Sequence, residues 1–310
     1  MYEHIPVLLN EALEYLQVKP DGIYVDCTLG GGGHSLAIVT QLSANGHLYA
    51  FDQDDYAIQR ADQRLRDYRD RFTIIPANFV DLKAELAKRG VTQVDGILYD
   101  LGVSSFHFDM PERGFSYNHD APLDMRMDQR QALTAETIVN EYSFHDIKHI
   151  LERYGEESFA KQIARRIEQI RRNQPITTTF ELVDVIKSAL PNKVLSKKGH
   201  PAKQTFQALR IAVNDELRVF EESLGQAFDL LNDDGRIVVI TFHSLEDRIA
   251  KRMFRDKSTV TVPKNLPLPP RPDAPFELLH RKVITASDAE LAANNRAHSA
   301  KLRAIKKRKN

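Results

Sequence analysis

The sequence predicts an α/β fold, a mostly parallel sheet interrupted by a helical insert, from three observations. Short β-rich runs alternate with helical stretches over the first hundred residues. The alternation stops at Asp100 and resumes only at Gly235. The residues between carry helical periodicity almost throughout. The first strands are read at Gly22 to Cys27, His47 to Asp52, Phe72 to Pro76 and Val94 to Asp100, with helices at Tyr56 to Arg69 and Val80 to Arg89 between them. Val7 to Leu16 has apolar residues at helical spacing and reads as a leading helix. A parallel crossover needs only about a dozen residues, so the gap before the fifth strand, Gly235 to Phe242, holds an insertion. Its helices are expected at Ala135 to Tyr142, His145 to Tyr154, Ser158 to Arg172, Thr179 to Ala189 and Lys203 to Leu231, with Thr177-Thr178-Thr179 and Glu181 forming a capped start. The domains are therefore 1–108 joined with 213–310, and an insert at 109–212. Phe276 to Thr285 and His298 to Ile305 are expected to close the sheet as an antiparallel pair.

Composition excludes several classes. The chain has 310 residues, one cysteine and 42% hydrophobic residues. A lone Cys27 rules out a disulfide scaffold, and no run approaches the ~18 apolar residues of a membrane span. The start, Met1-Tyr2-Glu3-His4, shows no secretory signal, so a cytoplasmic location is expected. Forty-three basic and 43 acidic side chains balance, but unevenly along the chain. Asn295 to Asn310 holds seven basic residues and no acid; Phe159 to Ala212 holds eleven against three. Charge sorted this way is the footprint of a polyanion binder. No His-Glu-x-x-His or paired-cysteine spacing is present, and no metal is expected.

The richest segment is Asp26-Cys27-Thr28-Leu29-Gly30-Gly31-Gly32-Gly33-His34-Ser35, which follows one strand and opens a helix. Glycines there let the chain turn sharply and let a ligand approach the backbone. Asp52 ends the second strand, where a carboxylate can accept from ribose hydroxyls. A dinucleotide fingerprint wants a third glycine where Ser35 stands, whereas acid-x-x-x-Gly-x-Gly fits the looser loop of enzymes that use S-adenosyl-L-methionine (SAM), so SAM is favoured. The third and fourth strands end in Asn78-Phe79 and Asp100, which belong at the same edge.

Longer blocks resemble one family. His4 to Glu11 (HIPVLLNE), Asp26 to Ser35, Asp95 to Ser105 (DGILYDLGVSS), Glu112 to Ser116, Pro122 to Asp128 (PLDMRMD), Tyr154 to Glu157, His200 to Asn214 and Thr241 to Arg248 (TFHSLEDR) are similar, in order, to the MraW/RsmH methyltransferases. The resemblance implies a Rossmann-like SAM-dependent methyltransferase sheet whose inserted helical domain recognises RNA. It also implies N4-methylation of a cytidine in 16S rRNA of the small ribosomal subunit, in the decoding-centre region. By position, its cofactor contacts fall on Gly32, Gly33, His34, Asp52, Phe79 and Asp100, with His107 where the family has a glutamine.

The exocyclic amine of cytosine is a weak nucleophile, because its lone pair is delocalised into the ring. An acceptor on its N–H would assist proton loss, and Asp100, Ser104 and Asn214 are the candidates. The base must leave its stack, and Phe106 or Phe206 could receive it. A nicotinamide oxidoreductase would explain the glycine loop but not the basic segments. A non-catalytic RNA-binding protein would need the site residues to be idle. Whether the chain forms a homodimer is left open.

Overall fold

The computed structural model describes residues 6–103, 110–260 and 273–309. The chain divides into two compact units, 1–102 with 217–310, and 103–216.

The first unit is built on α1 (Leu9–Leu16), β1 (Ile23–Asp26), α2 (Gly33–Val39), β2 (His47–Phe51), α3 (Asp55–Leu65), β3 (Phe72–Ile75), α4 (Leu82–Ala87) and β4 (Val94–Asp100). In the second unit, α5 (Ala135–Glu141), α6 (Phe144–Gly155), α7 (Ala160–Arg171), α8 (Thr179–Ala189), α9 (Asn192–Leu195) and α10 (Lys203–Asn214) follow. The chain then returns to the sheet through α11 (Glu216–Leu230), β5 (Leu231–Thr241), α12 (Ser244–Lys257), β6 (Phe276–Leu278), α13 (Asp288–Ala293) and β7 (Lys301–Lys307).

The sheet order is β3-β2-β1-β4-β5-β7-β6. Strands β1 to β5 pair in parallel, and β7 runs antiparallel to both β5 and β6. The central strands are covered on both faces, so they read as continuous apolar runs such as Ile237 to Ile240. Alternate residues still divide between two cores. Ile97, Tyr99, Ile237 and Val239 pack with Phe220, Leu224 and Phe228 of α11 and Phe254 of α12. Leu98, Val238 and Ile240 pack with Leu16 of α1, Ile38 of α2 and Leu65 of α3. The order reverses between β1 and β4, and at such a switch point the carboxyl ends of the strands frame a crevice. Asp26 and Asp100 stand at those two ends.

The second unit is helical around Ile138, Ile147, Leu151, Ile163, Ile167, Leu182, Ile186 and Leu209. Helix α8 starts with the expected cap. Thr178 Oγ1 accepts from the Glu181 N–H, and the Glu181 carboxylate accepts from the Thr177 and Thr178 N–H groups. The single helix expected from Lys203 to Leu231 is two helices. Asp215 adopts a left-handed conformation (φ 51°), its N–H bonding the Ile211 carbonyl, and this ends α10 before α11 begins. Among the described residues no helix is long and apolar enough to cross a membrane.

The C-terminal segment corrects an expectation. Five of its seven basic residues, Lys301, Arg303, Lys306, Arg308 and Lys309, are not a free polyanion footprint, because β7 and the residues after it set them against Asp247, Asp234 and Glu277. Arg303 donates twice to Asp247 of α12, at 2.7 and 3.1 Å. Lys306 sits 2.7 Å from Glu277 and 3.7 Å from Asp234, Lys309 lies 2.9 Å from Asp234, and Arg308 lies 3.2 Å from Glu277.

Candidate active site

The glycine loop is held by carboxylates at the ends of β1 and β2. Asp26, fully buried, accepts from the Thr28 N–H (3.0 Å) and from the Ser35 hydroxyl (2.7 Å). The Ser35 bond accounts for the missing third glycine: a small hydroxyl on α2 fits against β1 because Asp26 receives it. Asp52 accepts from the Gly30 N–H through Oδ2 (2.8 Å) and from the Asp54 N–H through Oδ1 (2.9 Å). Arg64 of α3 donates to the Gly31 carbonyl at 3.0 Å. Gly30 and Gly32 have positive φ (49° and 72°), the conformation glycine tolerates best. A Cβ on Gly33 would lie 2.4 Å from Cγ of Pro6, so that glycine admits the segment before α1, while a Cβ on Gly31 would meet nothing within 4 Å.

Asp100 closes the arrangement. Its N–H donates to Thr28 Oγ1 at 2.6 Å, tying the end of β4 to the loop after β1. Its Oδ2 lies 3.4 Å from His34 Nδ1, and the other ring nitrogen of His34, Nε2, contacts the Val7 carbonyl at 3.1 Å. Both ring nitrogens thus face acceptors, which only the doubly protonated imidazolium satisfies. Burial works to lower the His34 pKa, but the bond and charge of Asp100, the charge of Asp26 and the Val7 carbonyl outweigh it and raise it. Asp100 Oδ1, by contrast, is buried without a hydrogen-bond partner. A buried acceptor left unmatched is costly, and this one fits a donor on a ligand.

Burial pushes the Asp52 carboxyl up to about 6, against the lowering effect of the Asp54 and Gly30 N–H groups. Burial likewise raises Asp26, and it pushes the Cys27 thiol up well, as suits a packed residue. Phe79, just past β3, is half-buried and edge-on to Tyr99 at 5.8 Å. Asn78 beside it donates to Gln53, the neighbour of Asp52, at 2.9 Å. The ends of β1 to β4 are thereby connected through side chains.

Of the residues expected from sequence, Gly32, Gly33, His34, Asp52, Phe79 and Asp100 fall in this one cluster. Ser104, Phe106 and His107 lie outside the described residues. Asn214 lies in the second unit, with its amide fully engaged. It donates to the Met125 and Arg210 carbonyls at 2.8 and 2.9 Å and accepts from the Met127 N–H at 2.8 Å. That geometry makes it a clamp on the 125–127 segment. Phe206 is buried in the core of the second unit. Sequence reasoning missed Thr28 and Arg64. The Asp-x-Thr spacing was a usable signal for Thr28, whereas nothing local to α3 marks Arg64.

The model for the MraW methylase family matches residues 1–308. A relative from Streptococcus dysgalactiae subsp. equisimilis, a ribosomal RNA small subunit methyltransferase H, is 58% identical over 309 residues, spanning 99% of this chain and 98% of its own. Among solved structures, an rRNA methylase from Streptococcus thermophilus is 12% identical with a TM-score of 0.43, over 97% of this chain and 94% of that one. A methyltransferase homolog from Pyrococcus horikoshii is 12% identical with a TM-score of 0.45, over 99% and 68%. At those TM-scores the two structural likenesses carry no weight.

Proposed function

The chain belongs to the MraW methylase family, and from that premise we propose that it methylates N4 of a cytidine in 16S rRNA of the small ribosomal subunit, using SAM. The family match over residues 1–308, with 58% identity to a small-subunit rRNA methyltransferase, carries the reading. The decoding-centre location of the target rests on the family resemblance. The inserted helical unit is assigned to RNA recognition.

The residues present fit the cofactor. The buried, unpartnered Oδ1 of Asp100 and the raised carboxyl of Asp52 stand where open α/β sheets bind ligands. SAM, when bound, supplies a methyl group already activated on a sulfonium. Asp52 would accept from its ribose hydroxyls and Phe79 would pack against its adenine, with His34 beside Asp100 at 3.4 Å. The chain's task is then to position the amine in line and exclude water. Asp100 accepts a hydrogen bond from a donor at the strand edge, either the cofactor or the exocyclic N–H of the target. Ser104 is a second candidate acceptor, on the segment after β4.

The test is transfer of label from tritiated SAM to small subunits from cells lacking the gene, followed by nucleoside analysis. N4-methylcytidine is expected. Its loss with Asp100→Asn, by about 10²–10⁴ in rate for a positioned acceptor, would support the assignment. Label on another nucleoside would keep the methyltransferase and remove this substrate. Below a pH of about 6, Asp52 takes up a proton and loses acceptor strength, so the cofactor KM should rise there. A KM unchanged down to pH 5 would remove Asp52 from the cofactor site.

A further inference from the structure

Once folded, the eleven basic residues between Phe159 and Ala212 are not equivalent, and Lys161 and Arg165 stand exposed on α7, apart from the rest. Arg166 donates to the Ser188 hydroxyl, Arg171 to the Val139 carbonyl, Arg172 lies 3.7 Å from Glu168, and Arg210 grips Glu216 through two bonds. Lys187, Lys193, Lys197, Lys198 and Lys203 are exposed, and their ammonium groups pair with none of the described residues. These five charges fall within residues 187–203, and the sequence has no acid from Val185 to Asn214.

The segment carrying them is structured. The 191–203 stretch is braced by its own backbone bonds, among them Val194 N–H to the Pro191 carbonyl, Lys197 N–H to Val194 and Lys203 N–H to His200. The His200 ring stacks on Tyr117 at 4.3 Å and 10°, and Tyr117 meets Phe206 edge-on at 5.6 Å. Burial, then the charge of Lys187, lowers the His200 pKa, so the ring is neutral at neutral pH. Its Nδ1 accepts from the Ala202 N–H at 3.2 Å, which puts the proton on Nε2. Nε2–H bonds to none of the described residues, so it is a neutral donor set among unpaired cations.

We propose that this elbow, Lys187 to Lys203 seated on Tyr117, binds the phosphodiester backbone of RNA; the proposal extends the RNA-methylating reading to how the substrate is held. Five unopposed cations on a braced frame suit a polyanion, whose binding is driven by release of its counterions. A protein partner of ordinary interface size would ask for an apolar centre, and Leu195 is the one large hydrophobic residue exposed along the elbow among those described.

The experiment compares the full-length chain with the triple variant Lys193→Gln, Lys197→Gln, Lys198→Gln, and with the same three positions changed to Arg. Binding of a labelled single-stranded RNA is titrated over a salt series, and methyl transfer to small subunits is measured in parallel. The Gln variant should bind RNA more weakly, with a log–log salt slope smaller by about two. Its KM for subunits should rise while kcat and cofactor affinity hold, and the Arg variant should keep the wild-type slope. A slope unchanged by Gln would overturn the proposal. So would weakened binding to subunits with naked-RNA binding intact, which would assign the elbow to an acidic protein. If the wild type transfers no methyl group yet the slope still responds, the methylation reading fails and the elbow stands.

Discussion

Two segments of this chain look alike as charge and differ as structure. Residues 295–310 carry seven basic side chains without an acid, and residues 187–203 carry five without one. In the first, β7 and the two residues after it place Arg303, Lys306, Arg308 and Lys309 against Asp247, Asp234 and Glu277. In the second, every ammonium group faces solvent. The comparison teaches that net charge along a sequence predicts a binding surface only where tertiary structure supplies no counter-charge. The tail's cations hold an edge of the sheet together; the elbow's cations are left for something outside the chain.

The sharpest way to break the comparison is at Arg303. Its bidentate bond to Asp247 is well shielded, the two side chains being 16% and 14% exposed. Arg303→Ala should lower stability by about 1.5–3 kcal/mol, the range for hydrogen bonds to charged groups. Thermal unfolding would then shift down by several degrees. A midpoint within a degree of wild type would mean that the tail's charges do not hold the edge. The mirror variant, Lys197→Glu with Lys198→Glu, should leave stability within about 0.5 kcal/mol, as surface changes do. It should cost tenfold or more in RNA affinity at low salt, since two attractions become repulsions. Smaller still is Lys306→Gln, which removes partly exposed contacts to Glu277 and Asp234 worth up to about 1 kcal/mol and should not change the salt slope of RNA binding. A slope that fell with Lys306 as it falls with the elbow lysines would erase the distinction.

The same contrast explains what could be read from the sequence. The strand Val94 to Asp100 was legible to the residue, because the apolar Ile97-Leu98-Tyr99 run ends in an acid and follows the helix at Val80 to Arg89. The loop from Asp26 to Ser35 was legible because glycines, a preceding strand and a following helix constrain one another. The break at Asp215 was not: helical periodicity runs through it, and only the backbone reveals the left-handed residue. Asn214 looked like a candidate acceptor because its type is reactive-looking, yet its role is set by the carbonyls of Met125 and Arg210. The pairing of the tail was invisible for the reason that matters most. Asp247 lies 56 residues from Arg303, and no local pattern connects them. Asp26, Asp52 and Asp100 were legible as strand-end residues, but the orphaned oxygen of Asp100 emerges only from the fold.

Acid gives the smallest and most discriminating effect, because the two segments should respond in different pH windows. Lys309 holds the Asp234 carboxyl below its ordinary 3.8, and Lys306 holds Glu277 below its ordinary 4.5. Depressed carboxylates add stability that is complete above the unfolded value and is lost as pH falls through the folded one. The carboxylate contribution to the β6–β7 edge should therefore last down to a pH of about 4.5, whereas the bond from the Ala304 N–H to His280, whose pKa burial lowers, weakens already below 6.5. His200 is depressed too, from an ordinary 6.5, by burial and Lys187. Below 6.5 the unfolded chain binds a proton that the folded ring resists, so stability at the His200–Tyr117 stack declines first there. Hydrogen-exchange protection factors, corrected for intrinsic rate at each pH, separate the two regions. Loss at the elbow and at the Ala304 amide below 6.5, with the Phe276–Lys307 end of the edge intact, is the expected pattern. Loss at the Phe276–Lys307 end near pH 6, together with the elbow, would show that this end does not depend on its carboxylates, and that the tail's cations are as free as those of the elbow.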